Sequence, residues 1–296
     1  MRWYPLAREE CKALLSSKGV WLLALALLLW TYRPSYDTWD GLGPDMTIGF
    51  VQFGAGLLLP LAAVVLGYQA IVGDRTSGSL TFVLGLPLTR GEILAGKLVG
   101  RTAAIAIPAV LSFVAVTVLG AVQYGLFSPL RYLAVLAVTL VYVTVLVSIV
   151  VSVSALVERT TTAAATLFVG LILIFELAWQ FLSVTLYSRL TGVPVDPSNP
   201  PAEGGLFLLA RLSPSGAYNT VTNWILDVGN SADFHNSVLQ ERQPNVNTNV
   251  LVVETTFDPG TVPPYLHEAG GLLVLAAWGL VPLAIAYYRF SRGDLT

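Results

Sequence analysis

Residues Gly91–Leu98 read GEILAGKL, a G-x-x-x-x-G-K run one residue short of the loop that cradles nucleotide phosphates. That chemistry needs a strand, a glycine turn and a helix in order, with a Ser or Thr after the lysine to hold magnesium. Leu98 stands at the hydroxyl position, and proline-broken helical signals precede the run. Gly91 and Gly96 are therefore predicted inside a helix, and nucleotide binding by this chain is not expected. Metal chemistry is as thinly supported. There is one cysteine, Cys11, and the two histidines, His235 and His267, lie far apart, whereas metal sites need clustered ligands. With no H-E-x-x-H and no G-x-S-x-G, the chain is not expected to be an enzyme or to bind a cofactor itself. Glu176 remains, in LILIFELAWQF, with Gln180 one turn along. An ionisable group inside an apolar run costs a few kcal/mol, so it should face protein or a wet cavity. It reads either as lining for a translocation path or subunit seam, or as a protonated acid bonded to nearby backbone.

The elements that must position these residues are membrane helices. The chain has 296 residues, 55% hydrophobic and 11% charged, with a mean hydropathy of +0.70. A soluble domain carries about a quarter charged residues, so this chain cannot cover a water-facing surface. A net charge of −2 gives no basic field for nucleic acid. Six apolar spans are predicted: Gly19–Tyr32, Ile48–Val72, Thr102–Val122, Tyr132–Val157, Thr162–Tyr187 and Gly270–Phe290. The first is expected to be a retained anchor, because WTYRPS follows it without a small-x-small cleavage site. Arg2, Arg8, Lys12 and Lys18 precede it, Arg75, Arg90, Lys97 and Arg101 follow the second span, and Arg289 and Arg292 follow the last. By the positive-inside rule both termini are expected in the cytoplasm, on the inner face of the plasma membrane.

The predicted organisation is an amphipathic segment over 1–18, five spans over 19–187 with an inner loop at 73–101, an outer loop over 188–269, and a last span with its tail over 270–296. Leu6, Cys11, Leu14 and Leu15 suit a helix on the inner membrane face, or an extension of the first span. In the inner loop, Ser77-Gly78-Ser79 is read as a helix start and Pro87 as its stop. Thr89 and Glu92 are read as a capping box for a second helix running through Lys97 and Arg101 into the third span. Leu156–Ala163 is read as a tight turn capped by Thr160–Thr162, or as a second inner contact. The outer loop is predicted to hold short helices at Gly204–Leu212 and Ala217–Val228, against the membrane, and a strand at Asn249–Phe257. It would shield the outer end of the bundle, gate an exit or meet a partner.

One stretch resembles a known family. Asp74, Arg75, Ser77, Gly78, Ser79, Leu80, then Pro87, Leu88, Thr89, Arg90, Gly96 and Lys97 follow the pattern of permease subunits of ABC-2 type transporters. Arg211–Tyr218, RLSPSGAY, is similar to a segment in the branch containing the permease of nitrous oxide reductase maturation. The resemblance implies an all-α integral membrane fold of the six-span, type V exporter-like kind, with a large extracytoplasmic loop between helices 5 and 6. It implies an exporter working as a homodimer or heterodimer, with ATP and magnesium held by a separate ATP-binding subunit. It also implies a coupling loop carrying Asp74, Arg75, Ser77, Gly78, Ser79, Leu80, Phe82, Pro87, Thr89, Arg90 and Lys97, docked on that ATPase. An ion-gradient carrier and a membrane assembly or receptor protein are the alternatives.

Overall fold

The computed structural model describes residues 2–32, 42–78, 88–196, 199–234, 237–238 and 251–292. Among them the architecture is all-helical, with strand geometry limited to isolated bridges. Helices α1 (Tyr4–Leu15), α2 (Lys18–Thr31), α3 (Met46–Gly67), α4 (Val72–Ser77), α5 (Arg90–Tyr124), α6 (Pro129–Leu156) and α7 (Thr160–Thr191) come in order. Helices α8 (Gly204–Ala210), α9 (Pro214–Leu226) and α10 (Gly270–Arg292) follow. Five helical stretches are long and apolar enough to cross a membrane: Leu42–Ser77, Arg90–Tyr124, Pro129–Leu156, Thr160–Thr191 and Gly270–Arg292. The pair α1 and α2, bent by 68° at its break, would make a sixth. At 14 residues α2 alone spans about 21 Å, short of a ~30 Å hydrocarbon layer. The bend also means that α1 is no straight extension of the first span; it crosses α5 instead.

Alternating direction follows from which ends meet. Asp45, before α3, pairs with Arg131 at the start of α6 at 2.9 Å, and the Tyr32 hydroxyl after α2 donates to Gln123 near the end of α5. At the other end Arg101 donates to the Leu66 carbonyl, Arg75 to that of Val157, and Arg90 to that of Phe290. The start of the chain, the motif loop and the end of α10 thus share one end of the bundle. The core between α3, α5, α6 and α10 is Leu, Ile, Val and Phe, centred on Phe50, Leu59, Phe113, Leu146 and Val150.

Within the segment between α7 and α10, expected as an outer loop, α9 packs into the bundle, whereas α8 and residues 251–266 form a separate apolar cluster against the end of α7. Helix α8 leads to a turn at Arg211–Ser213, and α9 packs on α10, α6 and α3. The Trp278 indole donates to the Leu212 carbonyl at 2.7 Å, about 12 Å along α10 from its start. Tyr218 stacks on Tyr142 at 4.5 Å and its hydroxyl lies 2.9 Å from that of Thr139, about 15 Å into α6. Further along α9, Asn223 accepts from Gln52, about 9 Å into α3. The chain therefore descends between the long helices and climbs back, a re-entrant hairpin rather than helices lying on the membrane. Such backbone is tolerated at this depth where protein surrounds it.

Other local expectations change as well. Val253–Thr256 is a turn of helix that follows a Ser231–Val252 bridge, so the described part of the expected strand is a single bridge and a helical turn. The α6–α7 turn is tight as expected, but its N-cap is Arg159 with no side-chain cap, so the threonines do not close it. The Val157 carbonyl at this corner is engaged by Arg75 instead.

Candidate functional site

The motif residues converge where α1, α4 and α5 meet. The end of α3 breaks at Tyr68, and α4 restarts with the Ile71 and Val72 amides donating to Ser154 Oγ of α6 at 2.9 and 3.1 Å. A serine on another helix thus satisfies the amides that a helix start leaves free. Ser77 is the last residue of α4, and Gly78 follows as its left-handed cap at φ 77°. Ser77 and Gly78 thus close α4, with glycine at a backbone conformation strained for a side chain, and the helix expected to start at Ser77-Gly78-Ser79 would lie outside the described residues. Ser79, Leu80, Phe82 and Pro87 lie outside the described residues. Beyond them Thr89 forms the expected capping box: its hydroxyl accepts from the Glu92 amide and the Glu92 carboxylate accepts from the Thr89 amide. Gly91 and Gly96 lie inside α5, which removes the phosphate-loop reading.

Lys97 is the centre of the site. Its side chain is 1% exposed, and its Nζ lies 2.6 Å from Glu10 Oε1 of α1 and 2.6 Å from Asp74 Oδ2 of α4. Arg101, one turn on, meets the other Glu10 oxygen at 3.1 Å and donates to the Leu66 carbonyl. Two cations and two carboxylates are therefore matched in charge, as buried ions require. The pairing depends on close backbones. A Cβ on Gly100 would sit 2.5 Å from the Ala7 carbonyl, and one on Gly96 would press Leu6. Gly96-x-x-x-Gly100 is thus a small-residue seam that lets α1 lie directly on α5, with Lys97 between its glycines.

Arg75 and Arg90 hold the loop from the outside. Arg75 donates to the carbonyls of Val157 and Ala155 at 2.9 and 3.5 Å, at the C-terminal end of α6. Arg90 donates to Phe290 O at 2.5 Å, in the last turn of α10, with its guanidinium over that ring. Each cation meets carbonyls that a helix end leaves free. Sequence reasoning missed Glu10, Arg101 and Ser154. The only signal was an acid, Glu10, opposite a lysine on a glycine-flanked face, and nothing local linked them.

Phe168–Ala178 of α7 is wound as a π-helix, a form that recurs at functional sites. Glu176 and Gln180 line one recess of about 100 Å³ with Trp179, Ser213, Asn219 and Asp233. The Glu176 carboxyl faces the hydroxyls of Ser215 and Tyr142, and Ser215 also donates to the Phe175 carbonyl at 3.4 Å. Side chains of the re-entrant hairpin and of α6, rather than its own backbone, surround this acid. At the foot of the hairpin, buried Arg211 donates to the Leu266 and Asn230 carbonyls. Among the described residues no group of three or more His, Cys, Asp or Glu could hold a metal.

The family model for ABC-2 family transporter proteins covers residues 4–295. The chain is similar to the probable ABC transporter permease protein NosY of Stutzerimonas stutzeri, 34% identical over 119 residues. It is also similar to the NosY permease of Pseudomonas aeruginosa, 32% identical over 119 residues. Each match covers 37% of this chain and 42% of the relative, so the chain spans less than half the length of the curated relatives it matches. With a family model running from α1 past α10 over a bundle of apolar helices, the chain belongs to the ABC-2 family of transporter proteins.

Proposed function

We propose that this chain is the membrane subunit of an ATP-driven exporter, moved by a separate ATP-binding subunit seated on the 73–101 loop. The observation that carries this reading is the set of anchors on either side of residues 79–87. On one flank Asp74 and Arg75 are fixed to Lys97 and to the end of α6, and on the other Arg90 is fixed to the end of α10. A force applied between these flanks would pass into α1, α5, α6 and α10 together rather than being lost in a slack loop. Two packings of a bistable bundle can then be favoured in turn by nucleotide binding on the partner. ATP and magnesium would stay on that partner, with this chain catalysing nothing. Both termini would lie in the cytoplasm, and the exposed apolar faces of α2 and α7 would meet lipid or a second permease.

The test is transport by the chain reconstituted with its ATPase in proteoliposomes. Leu80→Asp, between the two anchored flanks in the sequence, and Ser77→Trp at the end of α4 are expected to leave the complex assembled and to remove ATP-dependent transport. Unchanged transport in both would remove the coupling role. Transport driven by an ion gradient with no ATPase present would favour the carrier alternative.

A further inference from the structure

Helices α1 and α2 form an elbow whose cations the coupling reading does not use. The two are bent by 68°, and the Trp21 indole of α2 donates to the Leu15 carbonyl of α1 at 2.8 Å across the corner. Depth follows from the contacts with α5. Ser112 donates to the Ala24 carbonyl at 2.8 Å, about 18 Å along α5 from Tyr124, and Lys18 lies about 9 Å beyond Ala24. Gly96 and Gly100, where α1 crosses, stand about 42 and 36 Å from Tyr124. A hydrocarbon layer of about 30 Å that begins at Tyr124 therefore ends close to Lys18, and α1 lies in the headgroup layer.

The elbow sorts its chemistry by depth. Leu6, Ala7 and Glu10 face α5, so Arg8 and Lys12 stand on the opposite side of α1. Lys12 and Lys18 are each three residues from the Trp21–Leu15 contact, and their flexible stems can bring both ammonium groups to the corner. Lys12 shares Glu9 at 3.6 Å with 56% of its side chain exposed, while Arg8 and Lys18 are exposed and in no ion pair among the described residues. Three cations thus stand against one acid. Below them α2 exposes Trp21, Leu22, Leu25 and Leu29, a stripe reaching about 12 Å deeper. Cations at headgroup depth above a hydrocarbon stripe suit a lipid with an anionic head, standing upright in its leaflet.

We propose that the elbow binds one anionic phospholipid, of the phosphatidylglycerol type. Its phosphate sits between Lys12 and Lys18, and an acyl chain lies along Leu22, Leu25 and Leu29. The site needs no nucleotide and no partner ATPase, so its failure would leave the coupling proposal untouched.

Native mass spectrometry of the full chain, released from vesicles of phosphatidylglycerol and phosphatidylethanolamine in equal amounts, tests this. One phosphatidylglycerol is expected to stay bound about tenfold more often than phosphatidylethanolamine. Lys12→Gln combined with Lys18→Gln should bring the two lipids to nearly equal retention. Arg159→Gln, which removes an exposed cation at the α6–α7 turn of the same end, should leave the preference in place. Equal retention by the unaltered chain would overturn the proposal, as would an unchanged preference in the double variant or an equal loss in Arg159→Gln. So would complete cross-linking of two Leu25→Cys copies, in a Cys11→Ser background, within the membrane, because a second chain would then cover α2.

Discussion

Lys97 is held by two carboxylates at 2.6 Å, from residues that stand far away from it in the sequence. Removing only the cation would leave Glu10 and Asp74 facing each other with less compensation. Lys97→Met is therefore expected to lower stability by about 3 kcal/mol, the low end for a broken buried pair because both acids are partly exposed. Lys97→Arg should retain most of it; chemical unfolding in detergent measures both. Gly78→Ala is expected to cost about 1 kcal/mol in the same assay, since φ is 77° there. At this scale some residues declare themselves and others do not. The Thr89–Glu92 box is local, with donor and acceptor three residues apart, and the sequence alone shows it. Glu10 is invisible as a partner because its role depends on how α1 crosses α5. Arg75 and Arg90 could be read as partner-facing knobs; only the positions of the α6 and α10 carbonyl ends turn them inward.

Element by element, the spans were readable because length and hydropathy fix them. Tyr132–Val157 and Gly270–Phe290 differ from Pro129–Leu156 and Gly270–Arg292 by a few terminal residues. The re-entrant hairpin was not, although its two helices were expected in nearly the right places. Helix α9 has 13 residues with Asn, Ser and Thr along it, which reads as a surface helix. Those polar groups are satisfied inside the bundle. Asn223 accepts from Gln52 and donates to the Ser231 and Asp233 carbonyls, and Thr220 and Thr222 donate back along their own helix. Asn223→Leu would strand these partners and is expected to cost about 1–3 kcal/mol, read as a drop in thermal stability. The α1–α5 seam carries its own test. Gly100→Leu would drive a side chain into the Ala7 backbone, and is expected to release α1 so that Glu10→Cys, in a Cys11→Ser background, becomes freely labelled by maleimide. Unchanged labelling would mean that the seam tolerates separation.

At the scale of the whole molecule, charge and shape agree on one polar end. Lys97, Arg101, Arg75 and Arg90 gather there with α1 and the last turn of α10, while the other end holds the start of the re-entrant hairpin and the Asp45–Arg131 pair. On the proposed reading, the cations gathered at the motif end would place it in the cytoplasm, where ATP is. The direct measurement is sidedness of the stretch between Gly78 and Leu88: Leu80→Cys in a Cys11→Ser background, treated with a membrane-impermeant maleimide in intact cells and in inverted vesicles. Labelling is expected in inverted vesicles only, and less when the ATPase subunit is bound. Labelling in intact cells would place that stretch outside and contradict ATP-driven coupling through it.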